Sequence, residues 1–219
     1  DDQDPTSADV PFVFDGSVDL KKLRVGYDPA GFNWKSDWYK KNPGLEEIHR
    51  SAFDRVKEMV GELVPITLPG KEFGGIISMT IGSEAASSFL PILMNGDVRK
   101  LKQQDRGAWP NYFRTGSEIP AADYLRSQQL RAQLMRAMHE SLKDVDCYIT
   151  LPYAGLTIEY TNLTGHPSLV VRDGVYKGRP KLMEVVGKLY REDVILALGM
   201  EIEKAAKAGD VWPNVSSLI

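Results

Sequence analysis

Apolar positions along the chain alternate between a helical and a strand rhythm. "LRVGYD" (23–28) predicts a short strand halted by Pro29. From Gly44 to Leu63, Leu45, Ile48, Ala52, Val56, Met59 and Val60 recur at helical spacing and predict an amphipathic helix. "VPITLP" (64–69) then alternates like a strand and is closed by Pro69-Gly70. Residues 72–94 are a second apolar stretch, whose small residues Gly74, Gly75, Gly82 and Ala85 predict a helix packed closely on a neighbour. Residues 95–119 are polar and read as an irregular excursion. The longest predicted helix is Ala121 to Leu142, opened by Pro120 and carrying Leu125, Leu130, Leu134, Ala137, Met138 and Leu142. "DCYITLP" (146–152), "SLVVRDG" (168–174) and "KLMEVVGKLY" (181–190) predict three strands. A closing helix from Asp193 to Ala206 follows. Residues 1–22 read as a connector and 207–219 as a loop-like tail. Helix and strand alternating in this order predict an α/β fold.

Composition narrows the partners. With 219 residues and 42% hydrophobic content there is material for a sizeable core. Net charge is −3 with both signs interspersed, which argues against nucleic acid or an anionic membrane as a main partner. No apolar run is long enough to predict a membrane-spanning helix. The opening "DDQDPTSADVPF" has neither the basic nor the apolar region of a secretory signal, and it lacks an initiator Met. It reads as a fragment of a longer polypeptide. A single cysteine, Cys147, allows no disulfide within the chain and suits a cytoplasmic setting.

Candidate chemistry is sparse. Cys147 lies in an apolar run and reads as a small buried hydrophobe. His49, His139 and His166 are scattered, and no HExxH or CxxC spacing occurs, so no metal or other cofactor is expected. His49 reads as partly exposed on its helix, and His139 sits where a helix C-terminus tolerates a cation. Glu84 is the one acid in the middle of its apolar stretch, either holding a neighbouring loop or catalytic. Ser83, Ser87 and Ser88 in "GSEAASSF" lie in a run of helix formers, where hydroxyls bond back to the preceding turn, so they do not read as nucleophiles. "AGFNWKSDWYKKNPG" (30–44) is aromatic and basic, a surface flap or a lining for a flat ligand.

Read as a unit, the second half resembles the amidase signature family. "ADYLRSQQLRAQLMRAMHESLKDVDCYITLP" is similar to that family's long helix and following strand, with Tyr124, Arg131, Val145-Asp146 and Pro152 at the matching positions. "TNLTGHPSLVV" resembles the family's turn into a strand, at Asn162, Gly165 and Pro167. "GRPKLMEVVGKLYRED" aligns without a gap on a later motif, at Gly178, Pro180, Gly187 and Glu192. "GSEAASSF" is similar to the family's "E-a-s-s" helix at Glu84, and "DDQDPTSA" resembles a "D-P-x-D" segment. The match is strongest over 120–206, and 23–119 reads as a first α/β portion of the same domain.

The resemblance implies the C-terminal part of the amidase-signature fold, a mixed β-sheet flanked by α-helices. It implies hydrolysis of a carboxamide, or transfer of its ammonia, through an acyl-enzyme. The family's Ser-Ser-Lys triad is expected upstream of this chain, which leaves the chain inactive alone, with no catalytic residue of its own. It implies substrate-binding roles for Arg131 and Tyr124: in members that use glutamine, such as the A subunit of glutamyl-tRNA(Gln) amidotransferase, the matching Arg grips a carboxylate. Arg131 as a structural ion-pair residue, with Asp123 or Glu84, is the alternative. Gly155 stands where those members carry an Asp, and Leu182 and Glu184 replace the usual Gly and Gln. Asn162, Gly165, His166 and Pro167 read as a turn at the cleft rim, with His166 at its variable position. A stand-alone accessory protein without the triad is the competing reading. Half a sheet leaves an edge and a core face uncovered, so the expected partners are a small amide, the N-terminal half of the same fold, or a second copy in a homodimer.

Overall fold

The computed structural model describes residues 3, 9–12, 14, 16–152 and 154–207. The "D-P" motif at Asp4-Pro5 and the tail from 208 lie outside the described residues. In chain order the elements are β1 (Arg24–Tyr27), α1 (Asp37–Lys40), α2 (Pro43–Met59), β2 (Glu62–Pro65), α3 (Ile76–Ser88), α4 (Leu90–Met94), α5 (Trp109–Gly116), α6 (Ala121–Leu142), β3 (Cys147–Thr150), α7 (Thr157–Thr164), β4 (Ser168–Tyr176), β5 (Arg179–Gly187) and α8 (Glu192–Ala206). They form two compact units.

The first unit comprises Asp1–Leu68, His139–Thr161 and Gly165–Ile219 and holds the sheet. Strand order is β2-β1-β3-β5-β4. β1 pairs in parallel with β2 and β3, while β5 runs antiparallel to β3 and β4, giving the mixed sheet. The β4–β5 hairpin turns on Lys177 and Gly178, both at positive φ (50° and 73°), as a two-residue primed turn requires. Side chains alternate between faces. Val25, Cys147, Ile149, Met183, Val185 and Val171 form one face, buried in a core with Ala52 and Val56 of α2 and Val194, Leu198 and Ile202 of α8. The alternate positions Tyr148, Thr150, Glu184 and Val186 share the other face and are also buried.

The second unit, Pro69–Met138 with Asn162–Thr164, is helical. Its α3 and α5 approach at two glycines: a Cβ added to Gly116 would stand 2.1 Å from the Gly82 carbonyl oxygen. This is the close packing that the small residues of 72–94 predict. The predicted single helix there is two, α3 and α4, meeting at Phe89 with Pro91 in the first turn of α4.

Three expectations are corrected. The helix from Gly44 stops at Met59, four residues short of Leu63, and the next strand opens at Glu62. Gly61 makes the transition: its N–H donates to the Leu23 carbonyl, and a Cβ there would meet the Lys21 carbonyl oxygen at 2.3 Å. The excursion 95–119 contains α5, an eight-residue helix with Pro110 in its first turn. The turn at Asn162 is the last turn of helix α7, so Asn162 is helical.

Candidate functional site

Residues 83, 84, 87 and 88 of α3 share one helix face by their spacing. That face and Tyr124 of α6 line an open depression of about 350 Å³, formed by Ser83, Glu84, Ser87, Ser88 and Tyr124, with Glu84, Ser87 and Ser88 exposed. The Tyr124 hydroxyl donates to Glu84 Oε1 at 3.4 Å. The Ser83 hydroxyl is enclosed with no hydrogen-bond partner. One turn further along both helices, Gln128 Nε2 donates to Thr80 Oγ1 at 3.2 Å. The two bonds, 84 to 124 and 80 to 128, register α3 antiparallel to α6. Arg131 continues the same α6 face. Its Nε donates to the Leu163 carbonyl at 2.5 Å and Nη1 to Gln128 Oε1 at 3.4 Å.

The sequence-predicted residues therefore divide. Tyr124, Glu84 and the serines meet at one open depression, and the serines lie inside α3, as the helix-forming run predicts, although the Ser83 hydroxyl does not bond back to the preceding turn. Arg131 is anchored to a backbone carbonyl near the end of α7, where carbonyls lack helical partners. It forms no ion pair with Asp123 or Glu84 among the described residues. Gly165 ends α7 in the left-handed region (φ 76°), its N–H donating to the Thr161 carbonyl at 2.8 Å. Pro167 accepts the Gly187 N–H at 2.9 Å, tying the start of β4 to the end of β5. His166 between them is buried; burial, then His139, lowers its pKa and favours the neutral ring.

A second polar constellation occupies the second face of the sheet in the first unit, and of its residues Glu184 was singled out in the sequence, as a departure from the usual Gln. Thr150 Oγ1 donates to Asp28 Oδ2 at 3.4 Å, and Ser168 Oγ donates to Glu184 Oε1 at 2.7 Å. Thr150 and Glu184 are cross-strand partners. Burial raises the pKa of Glu184 against the pull of Ser168, and its Oε2 is unpartnered. Tyr148 is raised mainly by burial, with Thr157 close enough to lower it. The available signal was period two in β3, where Tyr148 and Thr150 are the polar-tipped positions of an otherwise apolar strand.

Two further expectations meet the structure here. Cys147 is fully buried and pushed up to about 12 by burial, then by Asp146, as an inert hydrophobe should be. His49, read as partly exposed, is instead 5% exposed, with Nδ1 2.9 Å from the Tyr39 hydroxyl. Burial, then Lys181, lowers it to about 4. Asp173, at a bulge between Arg172 and Gly174, is 2% exposed with both carboxylate oxygens unpartnered, and burial raises it to about 6.

No family model matches the chain. An amidase of Pseudomonas putida is 28% identical over 240 residues, covering 94% of this chain and 48% of the relative. A fatty acid amide hydrolase of Medicago truncatula is 27% identical over 215 residues, covering 84% of this chain and 33% of the relative. Thus the chain spans about half of the first relative's length and about a third of the second's. Among solved structures, the peptide amidase of Stenotrophomonas maltophilia matches with TM-score 0.71 and 17% identity, over 94% of this chain and 49% of that one. A bacterial aryl acylamidase of the amidase signature family matches with TM-score 0.68 and 15% identity, over 94% and 48%. In sequence and in fold, the chain is similar to the amidase-signature enzymes.

Proposed function

We propose that this chain is the non-catalytic C-terminal half of an amidase-type hydrolase. Its parent opens a carboxamide through an acyl-enzyme, and the Ser-Ser-Lys triad lies in the upstream part of the fold that this chain does not supply. Residues 1–219 then form part of one amidase domain. The observation that carries this reading is a pair of coverages: the match to the Pseudomonas amidase takes in 94% of this chain but 48% of that enzyme. The ordered motifs from Glu84 to Glu192 support it.

In this reading α6 presents a substrate wall. Tyr124 with Glu84 and the α3 hydroxyls receives polar groups of the substrate. Arg131, fixed through Nε, turns its remaining guanidinium edge to a carboxylate in the fork geometry that arginine provides. The test is steady-state kinetics of the complete encoded polypeptide. Arg131→Ala should raise KM for carboxamides with an acidic tail and leave kcat near the parent's, with neutral amides little changed. Equal effects on both substrate classes would make Arg131 purely structural.

A further inference from the structure

Three buried oxygens on the second face of the sheet have no hydrogen-bond partner: Glu184 Oε2, the Tyr148 hydroxyl and Thr157 Oγ1. With Asp28 and Thr150 their side chains form one set, each between 0% and 7% exposed and all within the first unit. Strand register brings them together. Glu184 is the cross-strand partner of Thr150, and Tyr148 lies two residues before Thr150 on β3. Glu184 and Tyr148 are therefore diagonal neighbours on one face, within reach of an aromatic and a long side chain. Burial, then Thr157 at the start of α7, then Glu184 and Asp28 act on the Tyr148 hydroxyl, so all of these groups converge on it. An enclosed polar atom without a partner costs free energy, and three at one place point to a ligand.

The donor set says which ligand. Asp28 is already satisfied, because Oδ1 accepts the Ala30 N–H at 2.9 Å and Oδ2 accepts the Thr150 hydroxyl at 3.4 Å. Glu184 Oε1 accepts the Ser168 hydroxyl at 2.7 Å. One carboxylate oxygen is left, beside two hydroxyl oxygens. No Lys or Arg pairs with Glu184 or Asp28 among the described residues. All three atoms are hard oxygens, which suit a hard cation rather than a soft one. A divalent ion takes six or more oxygens and commonly several carboxylates, and no group of three acids, His or Cys able to hold a metal occurs among the described residues. A single positive charge matches the single unpaired carboxylate. A water would satisfy the hydroxyls but leave that charge buried without an opposite one. Ser168 is exposed, so the carboxylate lies one hydrogen bond from solvent, which gives an ion its way in.

We propose that a monovalent alkali cation binds between β3, β5 and the start of α7, held by Glu184 Oε2, the Tyr148 hydroxyl and Thr157 Oγ1. Such an ion braces the sheet against α7, and its site stands whether or not the parent hydrolyses amides. The test is thermal unfolding of the complete encoded polypeptide at mildly alkaline pH, with choline chloride exchanged for sodium or potassium chloride at constant ionic strength. Choline is too large for the site and holds screening constant. Sodium or potassium should raise Tm in a saturating manner, by on the order of 2 °C near saturation. The gain should shrink as pH falls, because protons compete with the cation for Glu184. Glu184→Gln keeps the shape and removes the charge, and should lose the gain with an unchanged circular dichroism spectrum. Thr157→Val keeps the charge, and should raise the salt needed for half the gain by roughly tenfold. Equal Tm in all three salts would overturn the proposal and leave a proton or a water as the partner of Glu184. A Glu184→Gln variant with the full gain, or a Thr157→Val variant with an unmoved half-point, would overturn it as well.

Discussion

His49 and Asp173 pull stability in opposite directions as pH changes. His49 is lowered from 6.5 to about 4, so between those values the folded chain binds fewer protons than the unfolded one, and stability grows with pH. Asp173 is raised from 3.8 to about 6, so the folded chain keeps its proton longer and stability falls as pH climbs through that window. The two slopes offset each other between about pH 4 and 6. Asp173→Asn removes the falling limb. The variant should be more stable than the parent at pH 7, by on the order of 1–3 kcal/mol, and its stability should climb steadily from pH 4 to 6.5. Urea melts across that range measure both; an Asn variant no more stable at pH 7 would show that the carboxylate is partnered after all. The burial of His49 was legible, since position 49 falls on the same helix face as Leu45, Ala52 and Val56. Its polarity obscured that spacing. The burial of Asp173 was not legible, because it depends on a bulge that sequence alternation cannot locate.

Helix α6 was readable to the residue, because apolar positions repeat through all its turns and Pro120 opens it. The strands were found with shifted ends: β5 begins at Arg179 and stops at Gly187, since register with β3 and β4, not local alternation, decides where pairing ends. α5 and α7 were hidden by turn-forming residues, Pro110-Asn111 in one and Thr161-Asn162 in the other, whose helical state depends on tertiary packing. The α3–α5 approach yields a paired prediction. Gly116→Ala drives a methyl into a backbone carbonyl and should cost about 2–4 kcal/mol. Gly82→Ala meets ordinary contacts from 3.5 Å outward and should gain up to about 1 kcal/mol from helix propensity. Thermal melts of the two variants should move in opposite directions. Arg131→Met keeps the stem but leaves the Leu163 carbonyl without its donor, and should cost about 1–2 kcal/mol in the same assay.

At the scale of the whole molecule, the α/β class, the mixed sheet and the likeness to amidase-signature enzymes were legible, because the motifs that carry the likeness occur in order along the chain. Of the site, Tyr124 and Glu84 were legible as motif positions, and their meeting with three serines at one depression was not, since it needs α3 and α6 in antiparallel register. On the polar second face of the sheet, alternation marked Tyr148 and Thr150 alone, and their meeting with Asp28, Ser168 and Glu184 was not legible, because it joins the residue after β1 with β3, β4 and β5. Under the proposed function the nucleophile is not among these residues. Reaction of the purified chain, and of the complete encoded polypeptide, with a fluorophosphonate that phosphonylates active serines with loss of fluoride, followed by peptide mass spectrometry and an ammonia assay on a simple carboxamide, tests this. The expected result is an unlabelled chain that releases no ammonia, and a complete polypeptide labelled at a serine outside residues 1–219. Labelling of Ser83, Ser87 or Ser88, with turnover abolished by the corresponding Ser→Ala change, would contradict it.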